Sequence, residues 1–125
     1  MGPLAKNTLD EDTKRIIRAV IHSDEKRRRR HQHKQATQFD KKATEAIQKA
    51  REELDLGDVD QEVRDYIINK LYTSLLYNTP WELIGETYCC RSLFYAYRKQ
   101  FCYLVALHLD MIPGSKDNRK SRKKE

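Results

Sequence analysis

The chain has few of the residues that build disulfide frameworks, membrane spans or glycine-rich loops. It contains three cysteines, two of them adjacent, and four glycines among 125 residues. Such cysteine usage does not supply a disulfide framework, and no apolar run reaches the length of a signal peptide or a membrane-spanning helix. We therefore expect a reduced, cytoplasmic protein that makes no use of a membrane.

The spacings typical of metal sites and catalytic centres are also absent. There is no Cys-x-x-Cys or His-x3-His pattern, and adjacent cysteines such as Cys89 and Cys90 rarely bind one tetrahedral ion. Neither a glycine-rich phosphate loop nor a nucleophile beside a base at a recognisable spacing occurs. We therefore predict that the protein is not an enzyme and uses no metal ion or other cofactor.

No stretch alternates between apolar and polar residues with a period of two, whereas apolar residues recur at steps of three and four. The sequence therefore predicts an all-α protein, with an N-terminal helical hairpin followed by a C-terminal three-helix helix-turn-helix domain. The predicted divisions are a disordered lead at 1–8, the N-terminal helical region at 9–57, the helix-turn-helix domain at 58–112 and a basic disordered tail at 113–125.

The N-terminal region carries two narrow apolar stripes. Thr8 or Asp10 is expected to cap the first helix, and the second is predicted from about Thr37 to Leu54. The stripes consist of Ile16, Ile17, Val20 and Ile21 in the first helix, and of Phe39, Ala43, Ile47 and Leu54 in the second. Because pairing such stripes gives only a two-helix hairpin, we predict a homodimer formed through this half.

Charge is segregated along the chain, although the net value is only +6. Residues 26–34 contain six cations and no acid, residues 51–65 contain seven acids and two cations, and residues 87–109 contain three cations and no acid. Such basic runs suit an anionic partner, with the acidic block turned away. Four consecutive arginines of the first run are predicted to hold backbone phosphates: Arg27, Arg28, Arg29 and Arg30. The alternatives are a solvated helix end, or RNA in place of DNA.

The segment from Thr79 to Lys99 is predicted to form a helix, a tight turn and a second helix. Thr79 and Glu82 have the spacing of a capping box, and Pro80 suits the first helical position. The first helix is expected to run from Pro80 to Tyr88. The second is expected from Arg91 or Ser92 to about Met111, before Pro113-Gly114 ends it.

This segment resembles the sigma region-4-like helix-turn-helix of small phage-encoded transcriptional regulators, of the RinA and ArpU type of late-gene activators. The matching residues, under half of the chain, are Trp81-Glu82-Leu83-Ile84-Gly85, then Arg91 to Lys99, and Leu107 to Ile112. The resemblance implies binding to double-stranded DNA near a promoter and contact with the host RNA polymerase, in the cytoplasm of a bacterial host. It also places Gly85 in a small-residue slot of the first helix and Cys90 in a buried slot. Cys89 departs from the usual glycine of the turn, and Arg91 stands where a serine or threonine cap is usual, so a cap at Ser92 would shift the second helix by one residue.

The second helix of this unit supplies the predicted DNA contacts. Base edges in the major groove are assigned to Arg91, Ser92, Leu93, Ala96 and Tyr97, and phosphates to Arg98 and Lys99. The competing interpretation places Leu93 and Tyr97 in the core. The sequence thus predicts a sequence-specific DNA-binding transcriptional regulator of phage or prophage origin that acts at a promoter. Two alternatives stand beside it: a DNA-packaging assembly protein like a small terminase subunit, and a helical protein-interaction module.

Overall fold

The computed structural model describes residues 9–112, and all regular secondary structure in this range is helical. This confirms the prediction of an all-α protein, with six helices in the described part of the chain. They are α1 (Glu11–His22), α2 (Asp24–Gln32), α3 (Gln38–Glu53), α4 (Gln61–Tyr77), α5 (Trp81–Ile84) and α6 (Arg91–His108). The lead and the tail predicted at 1–8 and 113–125 lie outside the described residues, as does Pro113-Gly114.

Two helix starts follow from local hydrogen bonding. The Asp10 carboxylate accepts the amide of Thr13 at 2.7 Å and so caps α1. At the start of α3 the Thr37 hydroxyl accepts the amide of Asp40 at 3.0 Å, and the Asp40 carboxylate accepts the amide of Thr37 at 2.9 Å. This reciprocal capping box satisfies two amides that a helix start otherwise leaves without partners.

One hydrophobic core runs through helices from both halves of the chain. α3 packs mainly along α6, while α1 packs on α4 and α6. The buried residues of α6 are Phe94, Phe101, Val105 and Ala106. The structure therefore does not confirm an N-terminal hairpin beside a separate C-terminal domain, because the apolar stripes of α1 and α3 are covered chiefly by C-terminal helices. Within the described residues Ile16 and Phe39 stay exposed, while the rest of both predicted stripes is buried, which removes the argument for a dimer through this half.

The basic run forms α2, and its first arginine belongs to the core. The Arg27 side chain is only 2% exposed, and its guanidinium donates to the Asp24 carboxylate at 3.3 Å and to the Val20 carbonyl. The same carboxylate accepts the hydroxyl of Tyr72 from α4. The prediction that Arg27 holds a DNA phosphate is therefore wrong, because a buried charge needs its counter-charge within the fold.

Candidate nucleic-acid interface

The helix that precedes α6 is shorter than the sequence predicts. α5 is a single turn, Trp81–Ile84, and Gly85 ends it with φ +90°. The predicted helix from Pro80 to Tyr88 is therefore corrected to this turn, followed by a six-residue connection, 85–90, in place of a tight turn. Gly85 therefore does not lie inside a helix. Its positive φ is a backbone conformation that residues with a Cβ atom rarely adopt.

The predicted capping box at Thr79 is also absent. Pro80 is the residue that precedes α5, and no side chain caps the helix there. Instead, the Glu82 carboxylate pairs with the Arg91 guanidinium at 3.1 Å, across to the start of α6. At the other end of α5 the Lys70 ammonium donates to the Ile84 carbonyl at 3.0 Å, which satisfies a carbonyl that the short helix leaves open.

A chain of hydrogen bonds ties α5 and the connection to α6. The amide of Trp81 donates to the Tyr95 hydroxyl at 3.0 Å, and the Trp81 indole N–H donates to the Thr87 hydroxyl at 3.1 Å. The buried Thr87 in turn donates to the Cys89 carbonyl at 2.9 Å. These bonds order the connection without a glycine at Cys89, and the positive φ falls on Tyr88 instead.

α6 begins at Arg91, with Cys90 as the residue that precedes it. Of the two predicted starts, Arg91 and Ser92, the structure has the first. Ser92 lies inside the first turn and does not cap the helix. Cys90 is exposed, whereas Cys89 is half-buried against the core. The resemblance predicts that Cys90 is buried, whereas in the structure Cys89 is the cysteine that packs against the core.

The structure brings some of the predicted base-reading residues together and separates others. Ser92, Ala96 and Lys99 are spaced by four and three residues, so they share one stripe of α6. Arg91 and Leu93 are exposed on either side of its N-terminal end. Tyr97, by contrast, packs against the core, and its hydroxyl reaches the Leu56 carbonyl at 3.4 Å. For Tyr97 the structure therefore agrees with the alternative interpretation, in which this side chain packs against the core and does not face DNA.

Arg98 lies on the flank of α6 that faces α1. Its guanidinium stacks over the Tyr95 ring at 5.1 Å, and that of Arg91 lies at 5.4 Å from the same ring. Burial is the main cause that lowers the pKa of Arg98, and nearby Arg18 adds to it. Two guanidiniums are therefore held on one aromatic ring, which fixes their positions along the first half of α6.

The arginines of α2 are mostly engaged within the fold. Arg30 makes two bonds of 2.6 Å with the Asp40 carboxylate, which holds the pKa of Asp40 well below its usual range. Arg28 pairs with Asp24 at 3.2 Å and lies over the Tyr72 ring. Of the four predicted phosphate contacts, Arg29 is exposed and has no ion-pair partner in the described range.

The two flanks of α6 differ in charge. On one flank, Gln100 exchanges hydrogen bonds of 2.7 and 3.2 Å with the backbone of Asp55, and His108 contacts the Glu53 carboxylate at 2.9 Å. On the other flank, Arg98 and Lys99 lie beside Lys14 and Arg18 of α1 around one cavity. The acidic connection between α3 and α4 is thus kept to one side of α6, and cations collect on the other.

Lys14 and Arg18 line the same cavity as the cations of α6, and the sequence did not predict this. They are spaced by four residues, so they project from the same side of α1, next to the buried Ile17 and Ile21. That spacing was visible in the sequence. Their proximity to α6 was not, because it depends on how α1 packs.

No helix in residues 9–112 is long and apolar enough to cross a membrane. The same residues contain no group of three or more histidine, cysteine, aspartate or glutamate side chains arranged to hold a metal ion. In comparisons with known proteins, no family model, no curated protein and no solved structure matches the chain.

Proposed function

We propose that this protein is a sequence-specific DNA-binding transcriptional regulator of phage or prophage origin, which acts at a promoter in the cytoplasm of a bacterial host. Double-stranded DNA is its proposed partner, and α6 is the helix that enters the major groove. The observation that carries the proposal is the first half of α6, which presents Arg91, Ser92 and Lys99, within residues 87–109 that contain no acid.

The dimensions and chemistry of α6 suit this role. The helix has 18 residues and is therefore about 27 Å long, and a major groove about 12 Å wide admits one helix. Arg91 has a guanidinium that bonds guanine in two places, and Ser92 has a hydroxyl suited to several bases. The Arg91–Glu82 pair is exposed on both sides, so exchanging Glu82 for a base costs little.

We infer that α4, α5 and α6 form the helix-turn-helix unit, with α5 reduced to one turn. The bond from the Trp81 amide to the Tyr95 hydroxyl and the bond from Lys70 to the Ile84 carbonyl attach α5 to both neighbours. Such attachment positions the first turns of α6 as a longer helix would. Lys99 then supplies a phosphate contact at the edge of the groove, away from the acidic flank at Asp55.

A contact with RNA polymerase, or with a second copy of the chain, would use the exposed apolar residues beside this unit. Leu83 is 76% exposed and Tyr88 is 61% exposed, which is unusual for large apolar side chains so close to each other in the sequence. The same observation favours a second candidate function, a helical protein-interaction module in which the cations of α6 have no DNA partner.

Equilibrium binding to labelled random-sequence duplex DNA separates the two. We compare the wild type with R91Q/K99Q on α6 and with K41Q/K49Q on the exposed surface of α3, which removes the same charge. Loss of two phosphate or base contacts should raise the Kd of R91Q/K99Q about 10-fold or more, and should reduce the slope of log K against log salt by about 1 to 2. Equal effects of both variants, or no effect of either, would favour the protein-interaction module.

A further inference from the structure

A cleft between α1 and α6 is lined by cations that have few ion-pair partners among residues 9–112. It has a volume of about 390 Å3, and Leu75 and Asn78 at the end of α4 form part of its wall. A second cavity of about 290 Å3 shares Arg18 and Arg98 with it and continues along α1 to His22. Together they form an elongated, open site on the basic flank of α6.

Four cations line this cleft: Lys14, Arg18, Arg98 and Lys99. No aspartate or glutamate is among the described residues that line it. Arg18 and Lys99 have no ion-pair partner in the described range, and Lys14 contacts Glu11 only at 3.5 Å, at an exposed position. Positive charges this close to each other repel, so an anion in the cleft would stabilise the arrangement.

None of the other described residues that line the cleft provides a negative charge. Burial raises the pKa of the Cys102 thiol to about 11, so this side chain is neutral at pH 7. Arg98 is partly desolvated, and its pKa is lowered by burial and by Arg18. The cations of the cleft are therefore partly desolvated without a described acidic residue to balance their charge, which is unfavourable.

We infer that this cleft binds a phosphate group carried by a small organic molecule of about mononucleotide size. The guanidiniums of Arg18 and Arg98 offer the paired donors that match phosphate oxygens, and Lys14 and Lys99 add point charges. The Asn78 amide adds a polar group, and Leu9 and Leu75 provide apolar surface for the rest of the molecule. The volume lies within the range of ordinary ligand sites, about 300 to 1,000 Å3.

The cleft shares Lys99 with the proposed DNA contacts, but the inference does not depend on the proposed function, because it rests on the Arg18 and Arg98 guanidiniums on the α1 side of α6. A DNA backbone carries the same phosphate chemistry as a free mononucleotide. The two sources are therefore separate arms of the test, with AMP as the small phosphate and a random-sequence duplex as the backbone.

The test is to titrate the full-length protein with AMP. Calorimetry and the NMR signals of the arginine side chains detect the binding. We expect saturable binding that shifts the Arg18 and Arg98 signals, and no such binding of adenosine, which lacks the phosphate. R18Q/R98Q should weaken AMP binding about 10-fold or more, whereas K41Q/K49Q, with the same net charge, should change it less than about 2-fold. Thermal unfolding followed by circular dichroism checks that both variants are folded.

The duplex arm identifies the source of the phosphate. Displacement of AMP by the duplex would show that the cleft also takes a backbone phosphate, and a lack of displacement would assign it to the small molecule alone. The inference is overturned if adenosine binds as well as AMP, or if K41Q/K49Q loses as much affinity as R18Q/R98Q. It is also overturned if AMP shows no saturable binding and R18Q/R98Q leaves duplex affinity unchanged. Failure of duplex binding alone would contradict the proposed function and leave the AMP result standing.

Discussion

The Tyr95 hydroxyl accepts the backbone amide of Trp81 at 3.0 Å, and this bond joins the one-turn helix α5 to the first half of α6. The same ring carries the guanidiniums of Arg91 and Arg98 at 5.4 and 5.1 Å. Tyr95 therefore links the position of α5 to the position of two cations on α6.

Removing the hydroxyl tests this link. Y95F leaves the Trp81 amide without its partner and should lower the free energy of unfolding by about 1 to 2 kcal/mol. Urea unfolding measures the change. Y103F is the matched control, since Tyr103 is a half-buried tyrosine of the same helix whose hydroxyl makes no hydrogen bond within the described residues. Equal losses in the two variants would show that the bond to Trp81 has no special role.

The burial of Arg27 predicts a large difference between neighbouring arginines. R27Q removes one of the two cations paired with the buried Asp24 and leaves Arg28 as the other, so it should lower the free energy of unfolding by about 3 kcal/mol. R29Q changes an exposed side chain and should stay within about 0.5 kcal/mol of the wild type. Chemical denaturation of both variants checks the prediction, and an R27Q protein as stable as the wild type would contradict the buried position of Arg27.

Asp40 predicts a specific dependence of stability on pH. Its folded-state pKa is lowered, first by the bonds from Arg30 and then by the Thr37 amide. The stabilisation is therefore complete above the unfolded-state pKa of about 3.9 and is lost as the pH falls from there through the lower folded-state value. D40N should have a lower urea midpoint than the wild type at neutral pH, and the gap should shrink in acid.

The control for this experiment is D58N, because Asp58 is exposed and has no ion-pair or hydrogen-bond partner in the range that the structure describes. Its midpoint should follow that of the wild type at every pH. A gap between D40N and the wild type that stays constant down to about pH 2 would contradict the ion pair with Arg30.

The cysteines predict an order of chemical reactivity. Burial raises the pKa of Cys102 to about 11, so only about one thiol in a thousand is ionised at pH 8, while Cys90 is exposed. Iodoacetamide should therefore label Cys90 first, as read by mass spectrometry of the digested protein, and C90S should remove the fast phase. Rapid labelling of Cys102 would contradict its burial in the wall of the α1–α6 cleft.

Local chemistry explains what the sequence predicts well. The start of α1 at Asp10 and the start of α3 at Thr37 depend on side chains within one helical turn. Such features need no knowledge of distant contacts. The all-α prediction is confirmed for the same reason, since apolar spacing is also a local property.

Tertiary contacts explain what the sequence did not predict. Arg27 has no apolar neighbours in the sequence, and its burial depends on Tyr72, which bonds to its partner Asp24 from a distant helix. Gly85 has the spacing of a packing residue, yet it ends α5 with φ +90°. The nearness of Lys14 and Arg18 to α6 depends likewise on the packing of α1, which no pattern within α1 reports.

Selection of binding sites from random duplexes, at two salt concentrations, tests the central claim that α6 reads DNA sequence. We predict that the wild-type protein enriches one motif at both concentrations, and that R91A relaxes the preference at one position, by about 1 to 3 kcal/mol of discrimination. K99A should weaken binding to all sequences alike. Binding that falls with salt while no motif is enriched would contradict sequence-specific reading by α6.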